Sequence, residues 1–201
     1  MHKEKQGFGD SAIATLQTSA VGQESVGMEG CYHVVCRDAD GNIKWEEQFP
    51  NLVNAVGKQL MLDTLLGGSS YSVTGPYLGL ISGASPTFAA ADTMSSHGGW
   101  TEFTNYTVGG SAVRGTATFS ASTSSGTTPA NVTTAAAASI TYTITGAGGT
   151  VGGCFLCTGS GAVSTQSSTA GTLYSAGAFA TAKVVTAGDT VSVTYSTTAT
   201  S

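Results

Sequence analysis

Charge is what this chain has least of. Only 9% of its 201 residues are Asp, Glu, Lys or Arg, against about 25% in an ordinary soluble domain. Exposed helix faces are built from Lys, Glu, Arg and Gln, so this scarcity argues against a helical bundle. The net charge is −5. A partner held by phosphate neutralisation, such as a nucleic acid, is therefore not expected. No apolar run reaches the ~18 residues of a membrane-spanning helix, so no membrane partner is expected either. Histidine is limited to three residues, which restricts acid–base chemistry.

Cysteine is scarce as well: Cys31, Cys36, Cys154 and Cys157. Two pairs could suggest a four-thiolate zinc site. Strand parity argues otherwise. Residues three or five apart on a strand point to opposite faces, so neither pair can chelate one ion without a turn between its members. Buried free thiols are expected, with no metal and no cofactor. The opening MHKEKQGFGDSAIATLQTSAVGQ has early lysines but no 7–15-residue apolar stretch, so a secretory signal is not expected and synthesis in a cytoplasm is.

What the chain does have is Gly, 28 residues, and Ser plus Thr, 55. This composition favours a β-rich protein with polar, uncharged faces. Charge is also unevenly placed. Residues 1–63 hold 14 of the 19 charged side chains, and the rest hold only Asp92, Glu102, Arg114, Lys183 and Asp189.

Residues 1–28 read as an extended N-terminal arm. Phe8, Ile13, Leu16 and Val21 are too few and too widely spaced for a core. They are candidate interface residues, expected to order against a neighbouring subunit. Residues 29–201 read as a single β-rich domain. Within it, residues 31–49 alternate around Asp40-Gly41 as a hairpin. Glu47 falls on the apolar parity, which makes its strand an edge or a frayed one. Residues 52–66 read as the one helix, with Asn51 as N-cap and Gly67-Gly68 as stop. Leu52, Val53, Val56 and Leu60 form one stripe, and Met61, Leu62, Leu65 and Leu66 shift it round. Such a helix should be covered by something besides one sheet.

The β body runs over 70–201. Strands are expected at 77–81, 100–106, 112–120, 140–145, 154–158, 173–179 and 190–196. Residues 83–99 are expected as loop with one helical turn, and 121–135 as a Ser/Thr loop. Ile140, Tyr142 and Ile144 alternate with threonines, as do Val191, Val193 and Tyr195 with Ser and Thr. Mainly β, an antiparallel sandwich or jelly roll with one helix, is the architecture that fits.

Candidate chemistry is thin. A Ser–His–acid relay could be drawn around His97 from Asp92, Ser95, Ser96 and Glu102, but no nucleophile elbow accompanies it. Asp92 and Glu102 could be drawn as a glycosidase pair, without further support. The stretches VGGSAV and GAGGTVGG lack the Lys-Ser/Thr and the helix of a phosphate loop. Asp38, Asp40 and Asn42 in RDADGN resemble the start of a calcium loop, but the closing Glu is missing and the hairpin explains them. Trp45 and Trp100 could serve a sugar site, and serve equally as core anchors. The chain is not expected to be an enzyme.

Three stretches carry a resemblance: HVVCRDADGNIKWEEQFPNLVNAVGKQLMLDTLLGG, YLGLISGASPTFAAADTMSSHGGWTEFTNY and LYSAGAFATAKVVTAGDTVSVTY. In this order they resemble small structural proteins of tailed bacteriophages. The resemblance implies a virion component, favoured here as a capsid decoration (cement) protein. Its partners would be the major capsid protein and further copies of itself, a trimer by analogy with three-fold shell sites. A tail or head-fibre component, or a carbohydrate-binding adhesin domain, are the alternatives.

Overall fold

Alternation with period two, interrupted by Gly-rich turns, folds this chain into two antiparallel sheets packed face to face. In the computed structural model the described residues are 27–67, 73–120, 123–125, 128–132 and 139–200. The first sheet is built around β13 (Thr190–Thr200). On one side β13 pairs with β1 (Gly27–Arg37) from Gly27↔Thr200 to Arg37↔Thr190. On the other it is shared by β10 (Ile140–Ile144) and β9 (Thr128–Val132). Beyond β1 lies β2 (Ile43–Pro50), an edge strand, and beyond β10 lies β6 (Tyr106–Thr107). β8 (Thr123–Ser125) pairs with β9. The second sheet runs β3 (Leu52–Val53), β12 (Thr172–Val185), β11 (Gly149–Thr158), β4 (Tyr77–Ser82), β5 (Thr101–Phe103), with β7 (Gly115–Thr116) also on β4.

The sandwich and the clean strands at 140–144 and 190–196 are as expected; several boundaries are not. Gly27 and Met28, assigned to the arm, open β1. The hairpin is no annex to a body starting at residue 70, because β1 lies between β2 and β13. The segment 100–106 is two strands. Its chain breaks at Thr104–Asn105 and passes from the second sheet to the first, so Phe103 and Tyr106 enter the same core from different sheets. Only Gly115–Thr116 of 112–120 forms a strand, and part of the expected 121–135 loop is the β8–β9 hairpin.

The helix also starts late. α1 is Ala55–Leu66. Leu52 and Val53 instead pair with Ala176 and Ser175 on β12, whose open edge claims them first. Asn54 takes the N-cap position but makes no capping bond. Its backbone N–H donates to Tyr174 O and its side-chain amide to Ala89 O. The helix then lies close on β12. A Cβ added at Gly57 would stand 2.6 Å from Tyr174 O, so only Gly allows this approach.

Between the sheets the core holds Tyr32, Val34, Leu78, Leu80, Tyr142, Val151, Cys154, Leu156, Val193 and Tyr195. Burial does not stop there. β11 is buried on both faces because a second cluster forms on the outer side of its sheet. There Met94 and Trp100, from the long loop after β4, cover Phe155, Cys157, Leu173 and Ile81. That loop holds no helical turn among the described residues. It acts as a third layer, and Ala55 N–H donating to Ala90 O ties it to the start of α1.

Candidate interaction surface

The sparse charges of the body are structural partners. Arg114 is 2% exposed. Its guanidinium grips Glu102 bidentately, Nε to Oε1 at 3.0 Å and Nη2 to Oε2 at 2.7 Å, and Nη2 also donates to Ser168 O at 2.7 Å. It lies 5.1 Å over the Phe155 ring. Glu102 further accepts from Ser167 N–H and Tyr106 Oη. Burial alone would lower the Arg114 pKa; the Glu102 carboxylate outweighs this and holds it above its ordinary value. Every lone-pair direction of Glu102 is occupied, so this pair has no valence left for a substrate.

His97 does not form the relay drawn from the sequence. Its Nδ1 donates to Trp100 O at 3.0 Å, and its ring stacks on Trp100 with centroids 3.8 Å apart. Ser95 Oγ meets Thr93 Oγ1, and Asp92 accepts from Ala89 N–H. Glu102 is committed to Arg114. Asp92 and Glu102 are thus engaged in separate local contacts rather than in a carboxylate pair. Asp38 explains RDADGN: its carboxylate accepts from the backbone N–H of Asn42 and Asp40 and from the Asn42 side chain, around Gly41 at φ 87°. The Asn42 amide is the main reason the Asp38 carboxyl sits below its usual range.

The cysteines follow parity. Cys154 enters the inter-sheet core while Cys157 enters the outer cluster. Cys36 is buried, Cys31 is half-buried, and all four are free thiols. Burial pushes Cys36 up to about 11, which keeps it protonated and inert at neutral pH. Among the described residues no three His, Cys, Asp or Glu side chains converge as metal ligands. Trp100 is 5% exposed, and Trp45 packs edge-on to Phe179 beneath Lys183. Both tryptophans are core anchors.

Two further ion pairs close the sandwich. At the β2 edge Glu47 accepts from Ala180 N–H at 2.6 Å and meets Lys183 Nζ at 2.8 Å. An apolar-parity position thereby carries a carboxylate that joins the two sheets. At the β12–β13 turn, Asp189 is 2% exposed and accepts from Lys44 Nζ at 2.6 Å and from Thr186 N–H at 2.8 Å. Burial would raise the Asp189 pKa, but Lys44 and Thr186 outweigh it and hold it below the ordinary carboxylate range. A lowered acid pKa stabilises the fold above the unfolded value, near 4, and that contribution fades as pH falls through the folded value. Asp189→Ala is therefore expected to cost about 1.5–3 kcal/mol at pH 7. The gap to wild type should narrow at pH 3. Urea unfolding at both pH values checks this, and an equal gap at each would refute it.

What remains for binding is apolar. Leu62, Leu65 and Leu66 on α1 are 59%, 79% and 75% exposed, and Val73 is 47% exposed. Of the second stripe of α1, expected to be covered, Leu62, Leu65 and Leu66 are left exposed by the described residues, while Met61 packs on the core. Phe8, Ile13, Leu16 and Val21 lie outside the described residues. Among the described residues no helix is long and apolar enough to cross a membrane. No protein-family model, curated protein or solved structure matches this chain.

No local pattern announces the Arg114–Glu102 pair, whose members sit twelve residues apart on different elements. A usable signal was present in composition. In a nearly uncharged body each isolated charge needs a partner, and Glu102, Arg114, Lys183 and Asp189 all have one.

Proposed function

We propose that this protein is a structural component of a tailed-bacteriophage virion, a decoration protein bound to the outside of the major-capsid-protein shell. The observation that carries the reading is the exposed leucine face of α1, where Leu62, Leu65 and Leu66 stand open on a body with few charged side chains. Contiguous exposed apolar surface on a folded domain marks an association site. The catalytic alternatives find their residues tied up in structural contacts, and Trp100 is covered rather than offered to a sugar. The three stretches that resemble phage structural proteins supply most of the frame: β1 to α1, then β4 through β6, then β12 and β13.

The role suits the architecture. Each copy contributes a small contact, and many copies across a repeating shell sum to a large reinforcement. Partners are the major capsid protein and further copies of this chain.

Cryo-electron microscopy of purified particles, with the protein tagged, tests the reading. Density for the tag on the outer face of the head is expected. Density on the tail or fibres would replace decoration by a fibre role, and absence from particles would overturn the virion reading. Particles lacking the protein are expected to release their DNA at a lower temperature, measured by dye fluorescence on heating.

A further inference from the structure

The outer side of α1 carries two features of opposite shape. Leu62 and Leu66, one turn apart, form a ridge that is 59% and 75% exposed. Beside it runs a groove of about 430 Å³, walled by Leu60, Met61 and Leu65 of α1, by Val73 and by Tyr174 of β12; Leu62 and Leu66 do not line it. Thr64 and Thr158 complete the lining. Thr64 Oγ1 donates to Leu60 O, Thr158 Oγ1 to Thr74 O, and Tyr174 Oη to Met61 Sδ, so these hydroxyls are engaged internally. The groove therefore presents mainly hydrocarbon. Leu65 belongs to both features: it lines the groove and is 79% exposed.

A surface with a ridge and a hollow side by side can complement itself. A two-fold axis running along α1 at Leu65 lays the ridge of one copy in the groove of the other, and the same contact repeats in reverse. Leu65 then meets its own counterpart on the axis. The groove falls in the roughly 300–1,000 Å³ of sites that enclose a ligand, ample for a pair of leucine side chains.

Size points the same way. Val73 is 47% exposed. Together with the three leucines it presents on the order of 400 Å² of hydrocarbon, in the range of patches that mark association. A stable interface of ordinary size buries about 800 Å² per partner, somewhat over half of it apolar. The α1 face therefore supplies the apolar centre of one such interface. Charge does not oppose it. α1 carries one cation and one anion, Lys58 and Asp63, so two such helices meet as neutral surfaces although each chain is −5.

We propose that the α1 face is a homodimer interface, its groove filled by the Leu62–Leu66 ridge of a second copy of this chain. This rests on the reading of the leucine face as an association site and gives that face one partner. Contacts to a capsid shell would then come from other surfaces.

Sedimentation velocity of the full-length protein, free of any particle, tests the proposal. A dimer is expected. Leu62→Glu enters the interface twice, at roughly tenfold or more for each leucine lost, and should weaken the dimer about a hundredfold or more. Its far-UV circular dichroism should match wild type, because Leu62 lies outside the core. Leu65→Cys is made with Cys31→Ser, which removes the one half-buried native thiol. Mild oxidation should join two copies through Leu65→Cys, identified by peptide mass spectrometry. Val184→Cys, at a 66% exposed position on β12, should not cross-link in the same background. A monomer at every concentration, a trimer, a dimer that survives Leu62→Glu, or equal cross-linking at Val184 each overturns the proposal. None of these results decides the virion reading, which the tagged particles test, so the two fail separately.

Discussion

Arg114→Ala is expected to lower the melting temperature by roughly 6–20 °C. The size comes from what is left behind. The Glu102 side chain is 6% exposed, and without the guanidinium it keeps a buried negative charge with only neutral donors around it. Breaking a buried pair from one side costs about 3–5 kcal/mol. In a domain of this size each kcal/mol moves the midpoint by about 2–4 °C. Replacing both partners, Arg114→Met with Glu102→Leu, should recover much of the loss because no charge is then stranded. Circular dichroism melts of the three proteins decide it; a single variant that melts with wild type would remove this pair from the account of stability.

Tyr32→Ala carries the second large effect, about 3–5 kcal/mol. Tyr32 is fully buried. Its ring lies 4.8 Å from Tyr195 and 5.4 Å from Phe49. Its hydroxyl crosses from the first sheet to the second and meets Ser175 Oγ at 2.9 Å. Alanine opens a cavity where three aromatic rings converge. Tyr32→Phe keeps the ring and loses only the bond between sheets, worth about 0.5–1.5 kcal/mol. Chemical unfolding should rank wild type, Phe and Ala in that order with the wider gap between Phe and Ala. Equal losses for Phe and Ala would mean that the bond, and not the filled volume, holds the sheets together here.

The elements legible in the sequence are those whose fate is decided locally. Ile140, Tyr142 and Ile144 are buried while the threonines between them are exposed, because one face of β10 meets the core. Cys154 and Cys157 part to opposite faces for the same reason. The misread elements depend on distant partners. Leu52 and Val53 stand at helical spacing from Val56 and Leu60, but the edge of β12, more than a hundred residues later, recruits them into β3. The β8–β9 hairpin has no hydrophobic alternation to announce it; its register comes from the free side of β13. Met94 and Trp100 lie in an aperiodic loop, so nothing local says that they roof the outer face of the second sheet. Of the candidate surface, the irregular second stripe of α1 was legible as an anomaly, but its exposure was not. Arg114 and Glu102 were visible only as lone charges in a neutral stretch.

The pairing of β1 with β13 has a kinetic consequence. Thr197 Oγ1 bonds Glu29 O across 168 positions of chain, and β13 also supplies the shared edge for β9 and β10. The strand that knits the first sheet is thus the last described element to be synthesised. Until it arrives, β1 and β2 form an isolated hairpin with both edges open, a unit only marginally stable in water. Closing so long a loop before its contacts reward it makes for slow folding, in the regime of all-β domains with high contact order. Assembly of the body is therefore expected to follow synthesis rather than accompany it, and a chain cut short before Thr190 would keep its early strands exposed to self-association.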